Sequence, residues 1–165
     1  MKIYLASDHA GFEFKEEIKK YLKEQGMEAE DLGAFELNKD DDYPDFAAPV
    51  AKKVAEDPEH HRGIVVGGTG QGESIVANKI SGIRAAVFYG SSIAQQPVDA
   101  TGRVSADPLE VLRLSRAHNN TNILSLGARF LTREQAIEAV KVWLDTPFEG
   151  GRHERRLKKI DQIEQ

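Results

Sequence analysis

With 165 residues and a net charge of −5, the chain has the length of one domain and the wrong sign for non-specific nucleic-acid binding, although a basic tract lies near its C-terminus. It has no cysteine, so disulfides, thiolate metal sites and a thiol nucleophile are excluded. The N-terminus enters an apolar strand without a basic leader and no stretch approaches roughly 18 apolar residues, which predicts a cytoplasmic protein that does not associate with membranes.

Lys2 to Ser7 reads as a buried strand ending in Asp8-His9-Ala10-Gly11, followed by a helix from about Phe12 to Gln25 that Gly26 closes. A weaker strand covers Glu28 to Leu32. The acidic loop Asn38 to Asp42 then leads through Tyr43-Pro44-Asp45 into a helix to about Glu56. Ile64 to Val66 and Arg84 to Phe88 read as strands separated by a glycine-rich turn and a helix beginning near Gly72. A long polar connection at about 89–107 precedes a helix from Pro108 to about His118, and Asn122 to Leu126 is a fifth strand. Helices from Thr132 to about Leu144 and from Arg152 to the C-terminus finish the chain. The alternation predicts one α/β domain over residues 1–165, a Rossmann-like three-layer α/β/α sandwich around a five-stranded parallel sheet. Ligands of such sheets bind beyond the carboxyl ends of the strands, where Asp8-His9, the glycine turn and the connection after Phe88 all lie.

The most informative stretch is Gly63 to Lys79. Gly67, Gly68, Gly70 and Gly72 allow close backbone approach to a ligand, and the helix that follows directs N–H groups and partial positive charge at the same place. Two phosphate-binding motifs nearly match and both fail at Glu73. A P-loop needs lysine there, and the dinucleotide fingerprint counted from Gly68 needs glycine. A carboxylate among donors suited to an oxyanion points instead to proton transfer beside a carbonyl, with Glu73 as base. An acidic first-turn residue that merely complements the helix dipole is the plainer alternative.

Other polar residues also have two readings. Asp8 and His9 either line the crevice or form a helix cap beside a surface histidine. His118, before Asn119 and Asn120, either acts in a site or favours a helix C-terminus electrostatically. Arg152 and Arg156 share a helix face and suit a phosphate or carboxylate, or else belong to a solvated basic face. His60-His61 reads as a surface turn, and no group of histidines and carboxylates has ligand spacing along the chain, so no metal is expected.

Together these residues resemble the ribose-5-phosphate isomerase type B and galactose-6-phosphate isomerase family along nearly the whole chain. The blocks that carry the resemblance are Ser7-Asp8-His9-Ala10-Gly11-Phe12, Asp42-Tyr43-Pro44-Asp45, Gly68-Thr69-Gly70-Gln71-Gly72, Ala77-Asn78-Lys79, His118-Asn119, Leu126-Gly127-Ala128-Arg129 and Phe148-Glu149-Gly150-Gly151-Arg152-His153. The resemblance implies metal-free interconversion of aldose and ketose phosphates by a homo-oligomer, a dimer or dimer of dimers with sites built across the interface, and no cofactor. By position it implies that Asp8, His9 and Tyr43 contact the sugar, that His118 opens the furanose ring and that Asn119 binds near the reacting carbons. Thr69 and the N–H groups around Gly68, Gly70 and Gly72 would form the oxyanion site. Arg152 and Arg156 would hold the phosphate, with Arg129 supplied by the neighbouring subunit and His118 and Asn119 open to the same origin. Many members carry a cysteine base at the position of Gly67. This chain resembles the subgroup whose base is a glutamate at the position of Glu73.

The expected activity is isomerisation of a sugar phosphate, foremost ribose 5-phosphate to ribulose 5-phosphate. A hexose or tetrose phosphate, a uronate-type ketose, and a non-catalytic phosphosugar-binding role are the alternatives. The segment between Phe88 and His118 is longer than the family's usual connection, and is read either as a substrate-selecting lid or as a passive surface insertion.

Overall fold

A computed structural model describes residues 1–163. In chain order it contains β1 (Ile3–Ser7), α1 (Phe12–Glu24), β2 (Ala29–Asp31), α2 (Pro44–Ala55), β3 (Arg62–Gly67) and α3 (Gln71–Ala77). There follow β4 (Ala85–Phe88), α4 (Glu110–Asn119), β5 (Ile123–Gly127), α5 (Arg133–Asp145) and α6 (Arg152–Asp161). These are the elements expected from the sequence, with ends moved by a residue or two. The last helix, expected to reach Gln165, is seen to Asp161, and residues 164–165 lie outside the described part.

The five strands are all parallel in the order β2-β1-β3-β5-β4. Alternation with period two divides the core. Ile3, Leu5, Ile64, Val66, Leu124 and Leu126 pack in one cluster with residues of α1, α4 and α5. Tyr4, Ala6, Val65 and Ile123 face the other way, onto α2 and the end of α3. The result is the three-layer sandwich that the β-α alternation predicts. Successive connections leave β1 toward opposite edges, so the crevice opens at the carboxyl ends of β1 and β3. Among the described residues no helix is long and apolar enough to cross a membrane.

Two anchoring devices fix polar segments at the two ends of the sheet. Lys15 stands with Ile18 and Leu22 on the buried stripe of α1, and its fully buried ammonium donates to both Asp31 oxygens, at 2.9 and 2.8 Å, and to the Ala34 carbonyl at 2.7 Å. A buried ammonium is tolerated only when paired and saturated in this way. The contact ties the start of the 33–42 loop to α1. At the opposite end of the sheet, buried Arg116 of α4 donates to Asn120 Oδ1 (2.8 Å) and the Thr121 carbonyl (2.5 Å), and its pKa is pushed down to about 10 by burial. Asn120 takes the left-handed conformation, φ 44°, that ends α4, and thereby fixes the direction in which the chain leaves the helix after His118 and Asn119.

Candidate active site

The glycine turn is built by contacts that side chains would forbid. A Cβ on Gly127 would come within 2.7 Å of the Thr69 carbonyl, and Ser125 Oγ donates to the Gly70 carbonyl at 2.5 Å. β5 and the residues after it therefore run against the turn. Ala128 and Arg129 donate their N–H groups to the carbonyls of Gly67 and Gly68, at 2.9 and 3.1 Å. Gly70 adopts φ 73°, which lets the chain enter α3.

Glu73, in the first turn of α3, is buried. A Cβ built on Gly67 would collide with its carboxylate. The carboxyl group therefore fills the space into which a side chain at the end of β3 would project, and the glycine at 67 is required by the glutamate at 73. Burial raises the Glu73 pKa first and foremost. Its own backbone N–H opposes this, and the nearby Asp8 charge adds to it. An acidic first-turn residue that only complements a dipole would sit in solvent.

Asp8 follows β1 and is also buried, its pKa raised chiefly by that burial against the N–H groups of Gly11 and Ala10. Its Oδ1 accepts from Ala10 N (2.9 Å) and Gly11 N (3.1 Å), so it is a cap as well as a crevice residue. A Cβ on Gly11 would strike the Val66 backbone, and this close approach of the start of α1 to β3 draws Asp8 toward Glu73. His9 is not a free surface residue. Its Nδ1 lies 2.6 Å from Asp41 Oδ1. Tyr43, at the start of α2, lies over Gly72, where a Cβ would meet its ring at 2.8 Å. The Arg129 guanidinium lies against Gly68, 3.0 Å from where a Cβ would stand. Thr69 is exposed at the turn, and its Oγ1 accepts from Gln71 N at 3.2 Å.

His118, Asn119, Arg152 and Arg156 are elsewhere. His118 and Asn119 end α4 just before Ile123, which pairs with Gly63 and Ala85 at the amino ends of β3 and β4. Glu73 lies beyond the carboxyl end of β3. In one chain the two groups are separated by the length of the strands, about 13–16 Å at ~3.3 Å per residue. The His118 ring stacks on buried His153 of α6, centroids 4.1 Å apart and planes 11° from parallel. Glu149 Oε2 lies 3.6 Å from His118 Nε2 and 3.8 Å from His153 Nε2. Burial first, then the charges of His118, Arg152 and Arg156, lower the His153 pKa, with Glu149 opposing. Arg152 and Arg156 are exposed, and among the described residues neither pairs with a carboxylate, unlike Arg103, Arg113 and Arg133.

Two expectations change. Arg129, assigned to a neighbouring subunit, stands beside this chain's own glycine turn, whereas Arg152 and Arg156 stand with His118. The reading that no group of histidines and carboxylates has ligand spacing is overturned by the fold. Folding brings His118, Glu149 and His153 within such reach, with the Arg152 Nε 3.3 Å from His153 Nε2 placing positive charge beside them. Asp8, His9 and Asp41 also converge, but there the Asp41 oxygen that faces His9 is taken by hydrogen bonds from it. His60 and His61 behave as a turn, His60 pairing with Asp57 at 2.9 Å. Asp41, Lys15 and Glu149 were not singled out from the sequence, although the Glu149–His153 spacing of four was a usable signal.

The ribose/galactose isomerase family model matches residues 3–101 and 105–160. The chain belongs to this family. It is 37% identical to ribose-5-phosphate isomerase B of Mycolicibacterium paratuberculosis, over 99% of this chain and 92% of the relative. It is 40% identical to the putative sugar phosphate isomerase YwlF of Bacillus subtilis, over 100% and 98%. Among solved structures, ribose-5-phosphate isomerase B from Mycoplasma genitalium with bound ribulose-5-phosphate superposes with a TM-score of 0.86 at 37% identity, covering 99% of this chain and 95% of that one. The family match breaks only at residues 102–104, inside the long connection.

Proposed function

We infer that the protein interconverts ribose 5-phosphate and ribulose 5-phosphate, with Glu73 as the base that moves a proton between the second and first carbons. The observation that carries this is the buried Glu73 carboxylate filling the volume of the absent side chain at Gly67, directly beneath the glycine turn. In a family where a base reaches the same place from the position of Gly67, this geometry supports a glutamate as its replacement. Burial and Asp8 raise the Glu73 pKa, which brings its basicity closer to that needed to take a carbon-bound proton. Backbone N–H groups around Gly68, Gly70 and Gly72, with Thr69, receive the charge that develops on the carbonyl oxygen.

The substrate site is completed by a second copy of the chain. His118 protonates the ring oxygen and opens the furanose, Asn119 binds near the reacting carbons, and Arg152 and Arg156 grip the phosphate, all from the amino edge of the partner. Asp8, His9, Tyr43 and Arg129 line the sugar from the edge that carries Glu73. The protein is thus a homodimer, or a dimer of dimers, acting in the cytoplasm on a small phosphosugar without a cofactor. The test is a panel of pentose, tetrose and hexose phosphates followed by NMR in deuterated water. Turnover of ribose 5-phosphate with deuterium appearing at the first carbon of ribulose 5-phosphate is expected. Turnover with no exchange over many forward and reverse cycles would replace the enediolate by hydride transfer.

A further inference from the structure

Asp41 lies in the polar loop between β2 and α2, and nothing in its sequence setting distinguishes it from Asp40 or Asp42. In the fold its side chain is 7% exposed, against 31% for the His9 ring that it faces. A single oxygen, Oδ1, accepts both the His9 backbone N–H at 3.1 Å and the ring Nδ1–H at 2.6 Å. The other oxygen, Oδ2, is buried with no hydrogen-bond partner. A carboxylate with an orphaned oxygen is costly to bury, and an imidazolium facing it offsets the cost. The loop is anchored on both sides of Asp41, since Lys15 holds the Ala34 carbonyl at one end and Tyr43 begins α2 at the other.

We propose that Asp41 is a positioning residue: it clamps His9 by backbone and ring together, so that the ring presents its Nε2–H as a charged donor toward the crevice beside Arg129. This rests on the isomerase reading for the identity of the substrate, but the clamp itself does not. Of the charged groups facing His9, Asp41 and Asp8 favour the imidazolium and Arg129 opposes it; the cavity of about 420 Å³ beside the ring is bordered by Glu13 and Lys39, of opposite signs. The Asp41 hydrogen bond is the largest influence and raises the His9 pKa. His9 accordingly stays charged to higher pH than an unpaired histidine, and the donor is lost as pH rises through that elevated value.

The test combines ¹⁵N NMR of the imidazole rings with kinetics on the full chain. In the unsubstituted protein at high pH, the neutral His9 ring is expected to keep its proton on Nδ1. A proton on Nε2 would overturn the clamp whether or not the protein turns over ribose 5-phosphate. Asp41→Asn keeps the shape and removes the charge. It should lower the pH at which His9 titrates and raise KM for ribose 5-phosphate roughly 5- to 20-fold, with the loss falling on KM rather than kcat. In a His9→Gln background the same substitution should add nothing. An unmoved titration, or an equal KM penalty with and without His9, would leave Asp41 as loop structure only.

Discussion

At the carboxyl edge of the sheet the two carboxylates beside the glycine turn, Glu73 and Asp8, lie out of solvent, and both are harder to ionise for that reason. At the amino edge the guanidiniums of Arg152 and Arg156 are exposed and, among the described residues, neither pairs with a carboxylate, while His118 stands at a helix end over His153. The contrast suits the role proposed for each edge. A base for a carbon-bound proton works best dry and pre-placed, because burial raises its basicity and the glycine turn is already oriented. A phosphate grip works best where long, wet guanidiniums can swing onto a dianion and surrender little solvation until it arrives. On the proposed reading neither edge is a complete site. Joining them within one chain would require crossing the sheet, whereas a second copy of the chain can place its amino edge over the first copy's turn.

The strongest way to break this comparison is Glu73→Gln. The amide preserves the packing against Gly67 and abolishes the base, so kcat should fall by about 10²–10⁴ while substrate affinity changes little. The sign of the stability change is opposite. Because the folded pKa is raised, Glu73 adds no cost at low pH, but an increasing one as pH climbs from the ordinary carboxylate value to the folded one, and a constant cost above it. The variant should therefore melt at a higher temperature than the parent near neutrality and at the same temperature in acid. For the same reason the acid limb of kcat/KM in the parent should lie above the ordinary carboxylate range. Near-normal turnover, or an acid limb at the ordinary carboxylate value, would leave Glu73 as packing.

A mixing experiment sharpens the comparison further. Glu73→Gln and His118→Asn should each be nearly inactive alone on cyclic ribose 5-phosphate. Unfolded together and refolded, they should regain activity at about a quarter of the sites, because half the dimers are mixed and each mixed dimer has one site with both intact groups. No recovery from a correctly assembled mixture would mean that both groups act from one chain.

Much of this was legible beforehand because local chemistry determines it. The order of elements followed from hydrophobic period and from Gly and Pro punctuation, and Glu73 was found because a phosphate motif failed at one residue whose charge is wrong for phosphate. Asp41 and Lys15 were not legible. Aspartates in polar loops and lysines on helices are common, and only tertiary packing decides that these two are buried and paired. Sites built across an interface were expected from the resemblance alone, although the placing of residues on the two edges was also legible from connectivity. A residue at the end of a helix just before a parallel strand lies at the amino edge, which separates His118 from Glu73 by connectivity alone. Arg129 follows β5 and falls at the other edge by the same logic.

At the amino edge, Arg152→Ala and Arg156→Ala should each raise KM by the roughly 1.5–3 kcal/mol of a hydrogen bond to a charged group, about 13- to 160-fold, with kcat less affected. The penalty should shrink on ribose, which lacks the phosphate. An equal penalty on both sugars would return the two arginines to the solvated face that a basic tract ordinarily forms.

The smallest effect is expected from the connection between β4 and α4, and it bears on which sugar the carboxyl edge accepts. The segment begins beside the turn, where Tyr89 packs edge-on to Phe130 at 6.2 Å and closes on Gly127. Further along it is clasped rather than loose. Asp99 accepts from Thr101 and Arg103, which hold its pKa well below the usual carboxylate range, and Val98 N donates to the Arg103 carbonyl at 2.7 Å. Arg103 in turn reaches buried Glu110 at 2.6 Å, where Ser105 also donates at 2.8 Å. A segment tied to the first turn of α4 in this way makes a fixed wall more readily than a moving lid. Replacing residues 95–104 by a short turn, with Ser105 and Glu110 kept, costs little in closure entropy, since each doubling of loop length is worth only about 0.6 kcal/mol. Loss of the clasp should still lower the melting temperature slightly. The informative quantity is kcat/KM for ribose 5-phosphate relative to a hexose 6-phosphate, which should fall by up to about tenfold as the wall is removed, the scale of one extra carbon in a pocket. A folded variant with an unchanged ratio would make the connection a surface excursion and leave sugar length to be set by the side chains that already line the turn, Tyr43 and His9 among them.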